Sequence, residues 1–207
     1  MKKISIIAIL LIANLGIYLH AQEGGLHIGA KAGFNRSNVY DESGDGFVAD
    51  AKYGFAFGGF LTIPLGPVIG LQPEVLYSEK GFTGSGRFLG GTYNFTRTST
   101  FIDVPLYLQL KIAPSVSILL GPQFSFLTKT KDVFHDGSIS IDQENDFSND
   151  NLRKNILGAS GGLDIYFSQL VISARVAWDL QQNNGDGTSD KPRYRNVLMQ
   201  LTAGVAF

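Results

Sequence analysis

The sequence predicts an all-β protein, an eight-stranded antiparallel up-and-down transmembrane β-barrel. Three observations support this fold class: a secretory start, alternation of polar and apolar residues after it, and an apolar face on the last strand. The last eleven residues, VLMQLTAGVAF, carry an apolar side chain at every second position and end on Phe207. A terminal strand of this kind is typical of the strand that closes a barrel whose outside contacts lipid.

The chain begins like a secreted protein. Lys2 and Lys3 precede the apolar run ISIIAILLIANLGIYL, and Ala21 is a small residue suited to cleavage. We therefore predict a cleaved signal peptide over residues 1–21 and a barrel domain over residues 22–207. An uncleaved membrane anchor is the alternative, and the shortness of the run, which Asn14 interrupts, disfavours it.

Eight strands are predicted from the period-two alternation and the turn residues between segments. They cover approximately residues 26–36, 52–63, 68–80, 97–111, 115–128, 154–167, 169–182 and 193–207. The connections after the second, fourth and sixth strands are tight (LGP, IAPS and FSQ), whereas the others are long and polar, the third of them running from about Lys129 to Arg153. Alternating short and long connections are typical of a transmembrane meander, with both chain ends on the periplasmic side.

The two faces of each strand are assigned by parity. In the fourth predicted strand, apolar residues from Ile102 to Ile112 alternate with Asp103, Tyr107 and Gln109. Charged residues on the polar faces are predicted to pair in the lumen, as a structural network: Lys31, Glu74, Asp103, Lys111, Asp164, Arg175 and Asp179. An eight-stranded barrel is just wide enough for side chains to fill, so an open pore is not expected.

Large aromatic residues of the apolar parity collect near the long connections. They are Phe34, Tyr53, Phe55, Tyr77, Phe124, Phe126 and Trp178. Such a collection is typical of an interfacial aromatic girdle. The same residues could also pack inside a water-soluble, lipocalin-like barrel that binds a small apolar ligand, because parity alone does not say which face is the inner one.

Composition narrows the function classes. Without Lys2 and Lys3, two positive charges, the formal net charge goes from −1 to about −3, which gives no reason to expect nucleic-acid binding. There is no cysteine, so disulfides and thiolate metal sites are excluded.

Catalytic, cofactor-binding and metal-binding residues are not predicted, and the protein is expected not to be an enzyme. His27 and His135 fall near opposite ends of the predicted barrel, and His135, Asp136 and Ser138 would not share a side of one strand. The stretch NNGDGTSD resembles a calcium loop but has Arg195 where the terminal Glu is needed, so a turn is favoured.

Six phrases give the chain a family resemblance. In order they are GAKAGFNRSNV, LQPEVLYSEKGF, IDVPLYLQLKI followed by GPQFSFLTKT, GASGGLDIYF and VISARVAWDL. With this order and spacing the chain resembles the PorT-like outer-membrane β-barrel family over most of its mature length. The resemblance implies a small eight-stranded barrel in the outer membrane of a Gram-negative bacterium. It also implies that the outer-membrane assembly machinery reads the terminal aromatic strand, with Phe207 as the insertion signal.

The resulting hypothesis is a non-enzymatic outer-membrane barrel that serves envelope structure or surface interaction. Its expected partners are outer-membrane lipid and lipopolysaccharide, the assembly machinery during insertion, and other envelope proteins. The alternative is an accessory subunit of a protein-secretion or surface-assembly complex, because founding members of the resembled family belong to such an apparatus.

Overall fold

The residues that the structure describes form nine strands. The computed structural model describes residues 25–40, 48–88, 91–136, 139–145, 154–183 and 195–207, so the predicted signal peptide lies outside the described residues. The strands are β1 (His27–Tyr40), β2 (Val48–Pro64), β3 (Ile69–Phe88), β4 (Gly91–Ala113), β5 (Val116–Asp136), β6 (Ile139–Asn145), β7 (Asn155–Phe167), β8 (Leu170–Asp179) and β9 (Arg195–Ala206). Among these residues, none forms a helix long and apolar enough to cross a bilayer.

Eight of the strands close into an antiparallel barrel. The order around the ring is β1, β2, β3, β4, β5, β7, β8 and β9, and β9 pairs with β1 to complete it. This seam runs in unbroken register from Gly29 opposite Ala206 to Tyr40 opposite Arg195. Beyond it, Ile28 and Phe207 exchange two backbone hydrogen bonds of 3.1 and 2.8 Å. The predicted eight-stranded meander and its closing strand are confirmed.

The barrel is polar inside and apolar outside. On β4, Leu106, Leu108 and Leu110 are exposed on the outer surface, whereas Tyr107 and Gln109 between them are buried in the lumen. Along β8 exposed and buried residues alternate without exception. This distribution is the reverse of a water-soluble barrel, so the lipocalin-like alternative is not supported. Six of the seven predicted girdle aromatics are exposed, and Tyr77 is half-buried, stacked on Phe57 with ring centroids 4.7 Å apart.

The two ends of the barrel differ. At one end, called the turn end below, residues 65–68, 114–115 and 168–169 connect consecutive strands, as the sequence predicts, and β1 begins and β9 ends there. Ser168 takes a left-handed conformation with φ of 57°, which a tight strand connection requires. The opposite end, called the loop end, carries the connections between β1 and β2 and between β8 and β9.

The wall is taller on one side of the loop end than the sequence predicts. β3 runs eight residues past its predicted end, β4 begins six residues early, and only two residues separate them. The predicted loop from Lys129 to Arg153 instead contains the rest of β5 and a further strand, β6, which pairs with β5 outside the ring. These stretches lie beyond the apolar band and therefore have no continuous apolar face. Because their sequence is polar, it predicted loops. We call residues 81–88 of β3, 91–96 of β4, 129–136 of β5 and the whole of β6 the outer sheet.

Candidate functional site: the lumen network

Four charged residues from four strands meet in the half of the lumen nearer the turn end. Lys31 Nζ lies 2.6 Å from Glu74 Oε2, and Arg175 Nη2 lies 2.8 Å from Asp164 Oδ1 and 3.3 Å from Glu74 Oε1. All four side chains are buried. The group, called the inner quartet below, holds two positive and two negative charges, so each buried charge has an opposite neighbour. Unpaired burial of any of them would be costly.

Neutral polar side chains complete the surroundings of the quartet. Gln72 donates hydrogen bonds of 3.0 Å to both Glu74 and Asp164, and it accepts one of 3.0 Å from Thr62. Gln109 donates weaker bonds to Gln72 and to the Tyr166 hydroxyl. Because these side chains come from β2, β3, β4 and β7, hydrogen bonds cross the lumen from wall to wall.

The sequence makes room for the Arg175 side chain opposite it. Gly162 of β7 is the register partner of Arg175, and a Cβ atom on Gly162 would lie 1.9 Å from the Ala174 carbonyl oxygen. Because Gly162 has no side chain, the Arg175 guanidinium has space to donate to the Leu163 carbonyl at 2.8 Å, and it lies 5.0 Å from the Tyr107 ring centroid. A glycine at residue 162 is therefore needed for close approach of backbone to backbone.

A second charged cluster lies nearer the loop end. Lys80 Nζ donates to Asp103 Oδ1 at 2.9 Å and to Ser125 Oγ at 3.0 Å, and it lies 4.6 Å from the Phe101 ring centroid. Sequence reasoning missed Lys80, although it continues the lumen parity of Glu74 on the same strand. It is the last residue of the predicted third strand, where the side of a residue is hardest to assign.

Two of the predicted network residues lie apart from these ion pairs. Asp179 is buried and accepts hydrogen bonds from the Asn196 side chain at 2.6 Å and from its backbone N–H at 3.2 Å. Lys111 is half-buried near the turn end, and no described carboxylate forms an ion pair with it. The predicted single network is thus resolved into two clusters, with five of its seven residues in ion pairs.

The remaining sequence candidates are dispersed. His27 is exposed at the start of β1, and His135 lies in the outer sheet near the far end of β5, so the two are at opposite ends. Ser138 and residues 184–190 of the calcium-like stretch fall outside the described residues. Within the described ranges, no three His, Asp or Glu side chains are grouped as a metal site would require.

Comparison with known proteins places the fold in a family. The profile of the outer membrane protein beta-barrel domain matches residues 20–184. No curated protein matches the sequence. Solved structures that resemble the chain include Ail of Yersinia pestis, at 16% identity over 90% of this chain and 100% of that one, with a TM-score of 0.49. Neisserial surface protein A has 12% identity over 88% and 97% of the two chains and a TM-score of 0.45. OprG of Pseudomonas aeruginosa has 13% identity over 87% and 95%, with a TM-score of 0.41. On the strength of the family profile and the inside-out barrel, the chain belongs to the outer membrane protein β-barrel domain family of Gram-negative outer membranes.

Proposed function

We propose that this protein is a non-enzymatic barrel that serves envelope structure or surface interaction through its loop end. The observation that carries the proposal is the filled lumen. The inner quartet and its polar neighbours extend from wall to wall, which leaves the outer surfaces as the places where the protein can act. In this proposal the charged lumen residues are structural and the protein needs no cofactor.

The filled lumen predicts that the purified barrel does not conduct ions. In a planar bilayer at 1 M KCl, we expect no steady conductance from the wild-type protein. A Glu74→Gln, Arg175→Gln double variant, which removes every ion pair of the quartet, should produce channel openings if it still folds. Steady wild-type conductance of porin size would overturn the proposal, because solute passage would then be the simpler function.

We also propose that the turn end faces the periplasm and the loop end faces outward. The short connections at one end and the outer sheet at the other support this orientation. Because the natural sequence has no cysteine, single replacements give clean labels. Lys154→Cys at the loop end should react with a membrane-impermeant maleimide on intact cells, and Ser168→Cys should react only after the outer membrane is permeabilised. The reverse labelling pattern would contradict the orientation.

A narrower role follows from the PorT-like resemblance, which supports an accessory subunit of a secretion or surface-assembly complex. Cross-linking in intact envelopes distinguishes this role from a general one. We expect partners to depend on the loop end, so replacing residues 137–153 with a short Gly-Ser linker should abolish the cross-links while heat-modifiable gel mobility persists. Components of one secretion apparatus among the partners would support the narrower role, and their absence would contradict it.

A further inference from the structure

Arg36 is a cation on the lipid-facing side of β1. It continues the outward parity of Ile28, Ala30, Ala32 and Phe34, and it is exposed. Its register partners are Tyr53 on β2 and Met199 on β9, which also point outward and are 70% and 57% exposed. Among the described residues, none makes a hydrogen bond or an ion pair with the Arg36 side chain. A charge on this face is unfavourable unless it reaches the interface or an anion there.

The position of Arg36 along the strand places it near the loop-end boundary of the apolar band. From Ile28 to Arg36 the strand rises roughly 20 Å along the barrel axis, at about 3.3 Å per residue and a tilt of about 40°. The apolar band of such barrels is about 25 Å tall. One pleat further towards the loop end, Trp178, Val197 and Asn38 form the next row, and tryptophan favours the headgroup level. Arg36 therefore lies just inside the loop-end boundary of the apolar band, and its long side chain can reach the level of the lipid phosphates.

An apolar groove begins at Arg36 and extends towards the middle of the membrane. The groove has a volume of about 540 Å³. The row of Arg36, Met199 and Val176 lies at its loop-end side, and the row of Phe34, Leu201 and Ala174 lies on its midplane side. Ala174 is a small residue between larger ones, and its short side chain leaves space in the groove. The site thus combines one guanidinium with an apolar groove suited to a hydrocarbon chain.

We propose that this groove binds one phosphorylated glycolipid of the outer leaflet, the lipid A portion of lipopolysaccharide, through a phosphate on Arg36. A guanidinium can donate two parallel hydrogen bonds to a phosphate, and the groove accepts one acyl chain of the same molecule. The assignment to the outer-leaflet lipid rests on the proposed orientation, which the cysteine labelling tests separately.

The test is native mass spectrometry of the folded barrel in detergent, titrated with bisphosphorylated lipid A. Arg36→Gln should weaken lipid A binding about tenfold, the loss expected for one charged hydrogen-bonded contact. Arg36→Lys should restore part of the affinity. Lys154→Gln is the matched control, because it removes an exposed cation at the loop end away from the groove. The affinity of the Lys154→Gln variant for lipid A should stay within about twofold of wild type, because no contact with the lipid is lost.

Three results would overturn the proposal. Equal affinity of Arg36→Gln and wild type would show that the guanidinium does not bind the lipid. An equal loss in Lys154→Gln would reduce the effect to net charge. Phosphatidylglycerol that binds as tightly as lipid A, with the same dependence on Arg36, would remove the assignment to the glycolipid. A heat-modifiability gel for each variant ensures that only folded protein is compared.

Discussion

At the residue scale, the inner quartet makes each charge depend on its neighbours. Glu74 contacts both Lys31 and Arg175, so its loss leaves Arg175 with Asp164 and Lys31 with no ion-pair partner among the described residues. We expect Glu74→Gln to lower the free energy of unfolding by about 3–5 kcal/mol, the usual effect of breaking a buried ion pair from one side. Urea titration of the barrel in lipid vesicles, followed by heat-modifiable mobility, measures it.

The control for that prediction is a double variant. Lys31→Met combined with Glu74→Gln removes one charge of each sign and keeps the Arg175–Asp164 pair. Its stability should lie closer to wild type than that of Glu74→Gln alone. If the double variant were less stable than wild type by the sum of the two single-variant effects, the two residues would not be coupled.

Gly162 provides a second prediction at this scale. Gly162→Ala would drive its new Cβ into the Ala174 carbonyl, and relief of that contact requires the β7 and β8 strands to separate beside Arg175. We expect destabilisation of about 1–3 kcal/mol. Gly66→Ala, in a turn with nothing within 4 Å of the added atom, should leave the unfolding midpoint unchanged. Equal effects of the two substitutions would contradict the close-approach argument.

Parity found most of the lumen residues, because a strand alternates strictly between its two faces. What it did not find is which charge meets which, since pairing depends on the stagger between strands and no local pattern encodes it. Lys80 and Asp103 illustrate the limit. Each lies on the polar face of its own strand, but the 2.9 Å distance between Lys80 Nζ and Asp103 Oδ1 follows only from the register between β3 and β4.

At the scale of the element, the lipid-facing side of β4 gives a depth-dependent prediction. Leu106 lies in the middle of the apolar series from Ile102 to Ile112 and points outward. Leu106→Arg should therefore destabilise the inserted barrel by about 2–4 kcal/mol, and Leu180→Arg, beyond the end of β8 at the loop end, by about 0–1 kcal/mol. Urea titration in vesicles compares them.

The lumen side of the same strand supplies the contrast. Gln109→Ala removes two weak hydrogen bonds, at 3.4 and 3.3 Å, and should cost about 1 kcal/mol. Should Leu106→Arg and Leu180→Arg prove equally mild, the position of the apolar band would have to be revised.

Strand extents were the least predictable part of the fold. The membrane-spanning segments were found because one face is continuously apolar. The outer sheet was not, because sequence such as GSGRFLGGTYNFT carries no face that must be buried. Its strands are instead held by pairing with neighbours and by contacts such as the Arg97–Asp132 ion pair between β4 and β5. Those contacts are specified by the partner strand, and a single segment does not reveal them.

At the scale of the whole molecule, a substitution at Phe207 allows assembly in cells and the stability of the folded barrel to be measured separately. Its backbone completes the seam through Ile28, whereas its ring is the proposed insertion signal. Phe207→Ser keeps the backbone hydrogen bonds, so refolding into pure lipid vesicles and the unfolding midpoint should both be nearly unchanged. Assembly in cells should fall several-fold if the machinery reads the ring, as pulse-chase heat-modifiability would report. Equal losses in vesicles and in cells would contradict the proposed signal.

The seam between β1 and β9 also constrains the order of events during synthesis. The first strand of the ring has no partner on one side until the last strand arrives, so the wall cannot close while the chain is still emerging. Until that moment two unpaired edges persist, and unpaired edges attract other chains. Before β9 pairs with β1, the chain is therefore an open sheet whose two edges have to be kept from pairing with other chains. A shortened product that lacks β9 should be cleared by proteases and leave no partially working form.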